Sequence, residues 1–185
     1  ASDVYKRQTV RSPRSYNSQI GVPLSVWQIG SKTEMAIFEA GISQPDEMIH
    51  LEEIIKPTLG LITNIGEAHQ EGFQTIQQKC IEKLTLLKAC DCIIYDGDNE
   101  LICECVEKLC FGCREIAWSR KDRDKPLYIS KIIKGNDSTK IEYTYLQYHS
   151  YITIPFVEDA SIENAIHCLA VMLYYNRPTE AITDR

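Results

Sequence analysis

The chain has 185 residues, 44% of them hydrophobic and 25% charged, with a formal net charge of -6. That length suffices for one full core, so one domain is the default, and the acidic balance offers no basic footprint for nucleic acid. No apolar run approaches the roughly 18 residues of a membrane span. The eight cysteines crowd between Cys80 and Cys113, with Cys168 apart, unlike a secreted disulfide framework, so reduced thiols in a cytoplasm are expected.

In chain order, Ala1 to Gln8 come first; DVYKRQ, Asp3 to Gln8, reads like a translated transposase adapter end, and these residues are excluded from fold reasoning as non-native. Short apolar runs bounded by turn residues then recur at Ala36 to Ala40, Leu59 to Ile65, Cys92 to Asp96 and Glu115 to Trp118, the pattern of buried parallel strands. Helical stretches lie between them. Pro45 to Ile55 opens with Pro-Asp-Glu, Thr75 to Cys90 carries Ile76, Ile81, Leu84 and Leu87, and Asn99 to Leu109 follows an Asp-Asn cap. Alternating strands and helices predict a mostly parallel α/β sheet with right-handed crossovers.

From Leu127 the period drops to two, in YISKII, KIEYTYL and YITIPF, which predicts an antiparallel meander with turns at Gly135-Asn136-Asp137 and Gln147 to Ser150. A last helix is expected over Ser161 to Tyr175, capped by Ser161, with Ile162, Ala165, Ile166, Leu169 and Leu173 on its apolar face. Pro178 to Arg185 starts like another helix and stops without a cap, so both ends read as cut.

The richest segment chemically is TNIGEAHQEGF, Thr63 to Phe73, which joins a strand end, a Gly turn, a histidine between two glutamates and a helix start. Loops at the carboxyl ends of parallel strands are where α/β folds place their chemistry. Glu39, at the end of the preceding strand and followed by Ala40-Gly41, is either a solvated acid or an oxygen ligand for a hard cation such as Mg2+. His69 is either structural or, with that neighbouring acid, half of a divalent-metal pair. Lys83 reads by itself as an exposed helix lysine, and Asn164 as an ordinary polar residue of the last helix. Cys103, Cys105, Cys110 and Cys113 raise a rival, a tetrahedral zinc site, although one helix would carry the first three on different faces.

Taken together, SYNSQIGVPLSVW, IFEAG, TNIGEAHQEGF, the lysine helix, DGDNE and SIENAIHCLA resemble, in order and spacing, the central ATP-binding domain of the Mur ligases. The resemblance covers about residues 9 to 185, a partial domain of that family. Its wording is most similar to the branch that adds D-alanyl-D-alanine to UDP-N-acetylmuramoyl tripeptide, in the form fused to an alanine racemase. It implies a bacterial, cytoplasmic ligase of peptidoglycan synthesis, serving cell-wall biogenesis, cell shape and division, with ATP and Mg2+ as cofactors. The residues it implies are Glu39 and His69 as metal ligands and Lys83 as a carbamylated lysine whose anionic oxygens help hold the metal. Asn164 would meet adenine, Asn17 would lie in a loop near the reacting phosphate and muramoyl substrate, and Asp98 and Asn99 would lie in a nucleotide-side loop.

One departure bears on activity. The family's phosphate loop, G-x-x-x-x-G-K-[ST], occurs nowhere in these residues, nor do the family's amino- and carboxyl-terminal domains, so the chain is expected to be catalytically inactive by itself and to expose an apolar edge. Two alternatives remain open: a non-catalytic Mur-like nucleotide-binding or interaction module, and another Mur or folylpolyglutamate-type ligase.

Overall fold

The computed structural model describes residues 8–13, 15–66 and 72–176. The chain divides into two compact units, one made of Ala1–Pro57 with Glu67–Ala89, the other of Thr58–Gly66 with Cys90–Arg185.

In the first unit β1 (Thr9–Arg11) pairs in parallel with β2 (Met35–Ile37), in a two-stranded sheet. Between them runs α1 (Gly21–Val26), and after them come α2 (Glu47–Ile55) and α3 (Ile76–Thr85). Val22, Ile42, Met48, Leu51 and Phe73 form the core, with Val26, Ala40, Ile55 and Leu86 packed around it. The helix starts show how these segments fold. Thr75 caps α3, its hydroxyl accepting from the Gln78 N–H at 3.0 Å. Asp46, before α2, is left-handed with φ 68° and makes no side-chain cap. The Met48 N–H donates instead to Glu82 of α3, 34 residues away, at 3.2 Å.

The second unit is a six-stranded sheet in the order β3 (Leu59–Leu61), β4 (Cys92–Asp96), β5 (Arg114–Ser119), β6 (Leu127–Lys134), β7 (Thr139–Tyr145), β8 (Tyr148–Ile154). The pairs from β3 to β6 are parallel and the last two antiparallel, which is the mostly parallel sheet with a meander that the sequence predicts. Cys92 through Tyr95 are all buried, as a strand covered on both faces requires. β7 alternates residue by residue, as a one-faced strand does. α4 (Glu100–Leu109) and α5 (Asp159–Tyr174) complete the unit, and α5 lays Ile162, Ile166, Leu169 and Ala170 into a core shared with Ile94, Ile116, Trp118, Leu127 and Ile141.

The structure corrects several boundaries. β2 ends at Ile37 and β3 at Leu61, so Glu39 stands two residues beyond its strand. α3 stops at Thr85, although Leu87 beyond it is still buried. Leu146 and Gln147 both adopt positive φ, 47° and 74°, a mirror-image turn that matches strand twist, so β8 resumes at Tyr148 and the expected longer turn shrinks. α5 begins at Asp159 with Glu158 as N-cap, so Ser161 lies inside the helix and does not cap it. The strand β1 and the helix α1 have no counterpart in the pattern reading, both being too short for a period to show. Pro178 to Arg185 lie outside the described residues. Among the described residues no helix is long and apolar enough to cross a membrane.

Candidate functional site

The residues singled out in the sequence fall into two groups, one in each unit, and His69 lies outside the described residues with the flanking Glu67 and Glu71. In the first unit Glu39 follows β2 on an exposed loop. The Asn17 Nδ2 donates to its Oε1 at 2.9 Å, and the Gly41 N–H donates to the Asn17 carbonyl oxygen at 2.7 Å. Asn17 is itself tied to α1, because the neighbouring Ser18 accepts from the Gly21 N–H through its hydroxyl (3.1 Å) and from the Val22 N–H through its carbonyl (3.0 Å).

Lys83 occupies the last turn of α3 and is half-buried, not the exposed helix lysine its local sequence describes. Burial depresses its pKa first and the Lys79 charge second, while Cys80 and Glu39 push the other way. Burial therefore favours the neutral amine, and Glu39 is near enough to be felt as a charge. Lys79, one turn earlier, is 2% exposed, and sequence reasoning missed it. The signal was its position with Cys80 and Leu84 on the inward face of the helix, where a lysine is rare.

The second unit holds Asp98, Asn99 and Asn164. Both Asp98 oxygens have structural partners: Oδ1 accepts from the Ser119 hydroxyl and Oδ2 from the Arg120 N–H at 2.8 Å, tying the β4–α4 turn to the end of β5. Asn99 is the N-cap of α4, its Oδ1 accepting from the Ile102 N–H at 3.1 Å. Asn164 stands exposed on α5, next to Glu163, whose carboxylate faces Arg120 at 3.5 Å, and the Arg120 guanidinium lies 5.7 Å from the centre of the Trp118 ring. Of the three, Asn164 alone keeps an amide with no hydrogen-bond partner among the described residues.

The zinc rival finds no support. Among the described residues no three His, Cys, Asp or Glu side chains gather, and burial raises the pKa of Cys103 and Cys113, opposite to what a thiolate ligand needs. Cys103 Sγ instead donates to the Gly97 carbonyl at 3.4 Å.

The family model of the Mur ligase middle domain matches residues 3–172. The chain belongs to the Mur ligase family. A Mur ligase relative from Buchnera aphidicola subsp. Baizongia pistaciae, named UDP-N-acetylmuramoyl-tripeptide--D-alanyl-D-alanine ligase, is 26% identical over 177 residues, covering 94% of this chain and 38% of the relative. The crystal structure of MurF from Acinetobacter baumannii superposes with a TM-score of 0.83 at 19% identity, covering 96% of this chain and 39% of that one. MurF from Thermotoga maritima, solved with ADP, gives 0.81 at 18% identity, covering 97% and 42%. The Mur ligase chain described here thus spans well under half the length of the curated relatives it matches. The mostly parallel sheet continued by antiparallel strands, seen in the second unit, matches the fold of the MurF structures.

Proposed function

We propose that this chain is the nucleotide-binding part of an ATP-dependent, cytoplasmic ligase that joins D-alanyl-D-alanine to UDP-N-acetylmuramoyl tripeptide in peptidoglycan precursor synthesis. The observation that carries the reading is the match to the Mur ligase middle domain over residues 3–172, with curated relatives named for that reaction. In the reaction, a tripeptide carboxylate oxygen attacks the γ-phosphorus of ATP and ADP leaves. The amine of D-alanyl-D-alanine then attacks the acyl phosphate carbon, loses a proton and expels inorganic phosphate, leaving the amide. Catalysis of this kind is mostly positioning and charge neutralisation.

The donor set suits a hard divalent cation in part. A loop carboxylate, Glu39, lies near enough for its charge to act on a half-buried amine, Lys83, whose burial favours the neutral form that can attack carbon dioxide. The resulting carbamate, formed with loss of a proton from nitrogen, turns a cation into an anionic oxygen ligand. Glu39, carbamylated Lys83 and His69 would hold Mg2+, which supplies positive charge to the phosphate oxygens when bound. Asn164, with its unpartnered amide, can both donate to and accept from an adenine edge. Asp98 and Asn99 serve the nucleotide side by fixing the β4–α4 turn, since their oxygens already accept from the protein.

The test is phosphate release by the product of the full reading frame containing these residues, given ATP, Mg2+, the UDP-linked tripeptide and D-alanyl-D-alanine. Release that requires the dipeptide, and that Glu39→Gln lowers on the order of 100-fold, is expected. The 185 residues alone, with no G-x-x-x-x-G-K-[ST], should release none. Dipeptide-independent release, or release by the 185 residues alone, would overturn the assignment.

A further inference from the structure

We infer that Asn17 is a positioning residue for the Glu39 carboxylate; this rests on the reading of Glu39 as a divalent-cation ligand. Glu39 is exposed and stands two residues past the end of a three-residue strand, so by itself its carboxylate would sample several rotamers. Three observations show how it is held. The Asn17 amide donates to Oε1 at 2.9 Å, the Gly41 N–H donates to the Asn17 carbonyl at 2.7 Å, and Gly41 backs the amide closely. A Cβ at Gly41 would come within 3.2 Å of Asn17 Cγ and carbonyl oxygen and 3.3 Å of Nδ2. Asn17 thus clasps the loop at Glu39 and again at Gly41, side chain to side chain and backbone to backbone, and Ser18 carries the clasp into α1.

The chemistry suits a cation site. The carboxylate only accepts, so the NH2 end of the amide must face it, and one oxygen is engaged while Oε2 is left for a metal. A neutral donor leaves the full negative charge on the carboxylate, whereas a Lys or Arg in its place would cancel it. Outer-shell partners of this kind typically change metal affinity about 10- to 100-fold.

Mn2+ alone serves as the probe, with free Mn2+ followed by electron paramagnetic resonance. Asn17→Leu, close in volume and without a donor, should weaken Mn2+ binding about 10- to 100-fold with the thermal midpoint unmoved. Glu39→Gln should weaken it at least as much, and the double variant should show no loss beyond Glu39→Gln. Should Asn17→Leu lower the midpoint, Asn17→Ala, which keeps the backbone bond to Gly41, repeats the measurement. Unchanged affinity in the Asn17 variants beside a loss in Glu39→Gln overturns the positioning role and leaves the metal reading standing. Full affinity in Glu39→Gln, or no Mn2+ binding by the unsubstituted protein, overturns both.

Discussion

The two units divide the work of folding unequally. The second buries a continuous core from Cys92 and Ile94 on β4 through Trp118 on β5 to Ile166 and Leu169 on α5, on a sheet of six strands. The first has two three-residue strands and a core of Val22, Ile42, Met48, Leu51 and Phe73, and it leaves Ile20, Leu24 and Trp27 exposed along α1 at 75%, 48% and 85%. Yet the first unit carries Glu39, Lys83 and Asn17. Glu39 is held there by a single hydrogen bond between loops, while the core of the second unit is held by packing, so substitutions in the two should fail differently.

The largest effect should come from the packed unit. Trp118 is 2% exposed, and its Nε1–H donates to His167 Nδ1 at 3.3 Å, the rings meeting edge to face at 5.4 Å. Trp118→Ala should cost about 3–5 kcal/mol through the cavity alone, and it strands a buried imidazole acceptor besides. Denaturant unfolding should show the loss, and hydrogen exchange should locate it in β4 and β5. Equal loss of protection in α2 would break the contrast between the units.

Acid should sharpen the same contrast. Burial holds the His167 pKa down at about 4, against 6.5 for the ordinary ring. Above pH 6.5 the ring is neutral folded or unfolded and contributes no pH dependence. Between pH 6.5 and 4 the unfolded chain takes up a proton that the folded chain refuses, so stability falls with pH, by about 3 kcal/mol in all. His167→Gln should flatten that slope in the second unit. An unaltered slope would place the acid sensitivity elsewhere.

Legibility in the sequence followed the same division. β4 and α4 were readable to within a residue because a continuous apolar run and an Asn cap are local signals, and the meander was readable from its period of two. β1 and α1 were not, since three- and six-residue elements carry no period. At the site, the side chains were legible only as a motif resemblance. The Asn17–Glu39 bond, across 22 residues, cannot be inferred from neighbours in sequence, whereas the burial of Lys79 was signalled only by the helix face it shares with Cys80 and Leu84. Asp98 and Asn99 show the converse, because a polar pair at a helix start is sufficiently explained by capping and turn bonds.

The smallest effect should come from a glycine of the loop-built unit. A Cβ on Gly72 would overlap the Ser43 carbonyl oxygen. Ser43 has little room to withdraw, because the Glu47 Oε2 accepts from its N–H at 2.6 Å and from the Gln44 N–H at 3.1 Å, pinning the turn that opens α2. Relief must therefore come from the backbone around residue 72, two residues before the Gln74 N–H that donates to Gln78 at 2.9 Å at the start of α3. Gly72→Ala should destabilise the first unit by about 1–3 kcal/mol and speed amide exchange in the first turns of α2 and α3, while β4 keeps its protection. Faster exchange in β4 as well would break the contrast between the loop-built unit and the packed one.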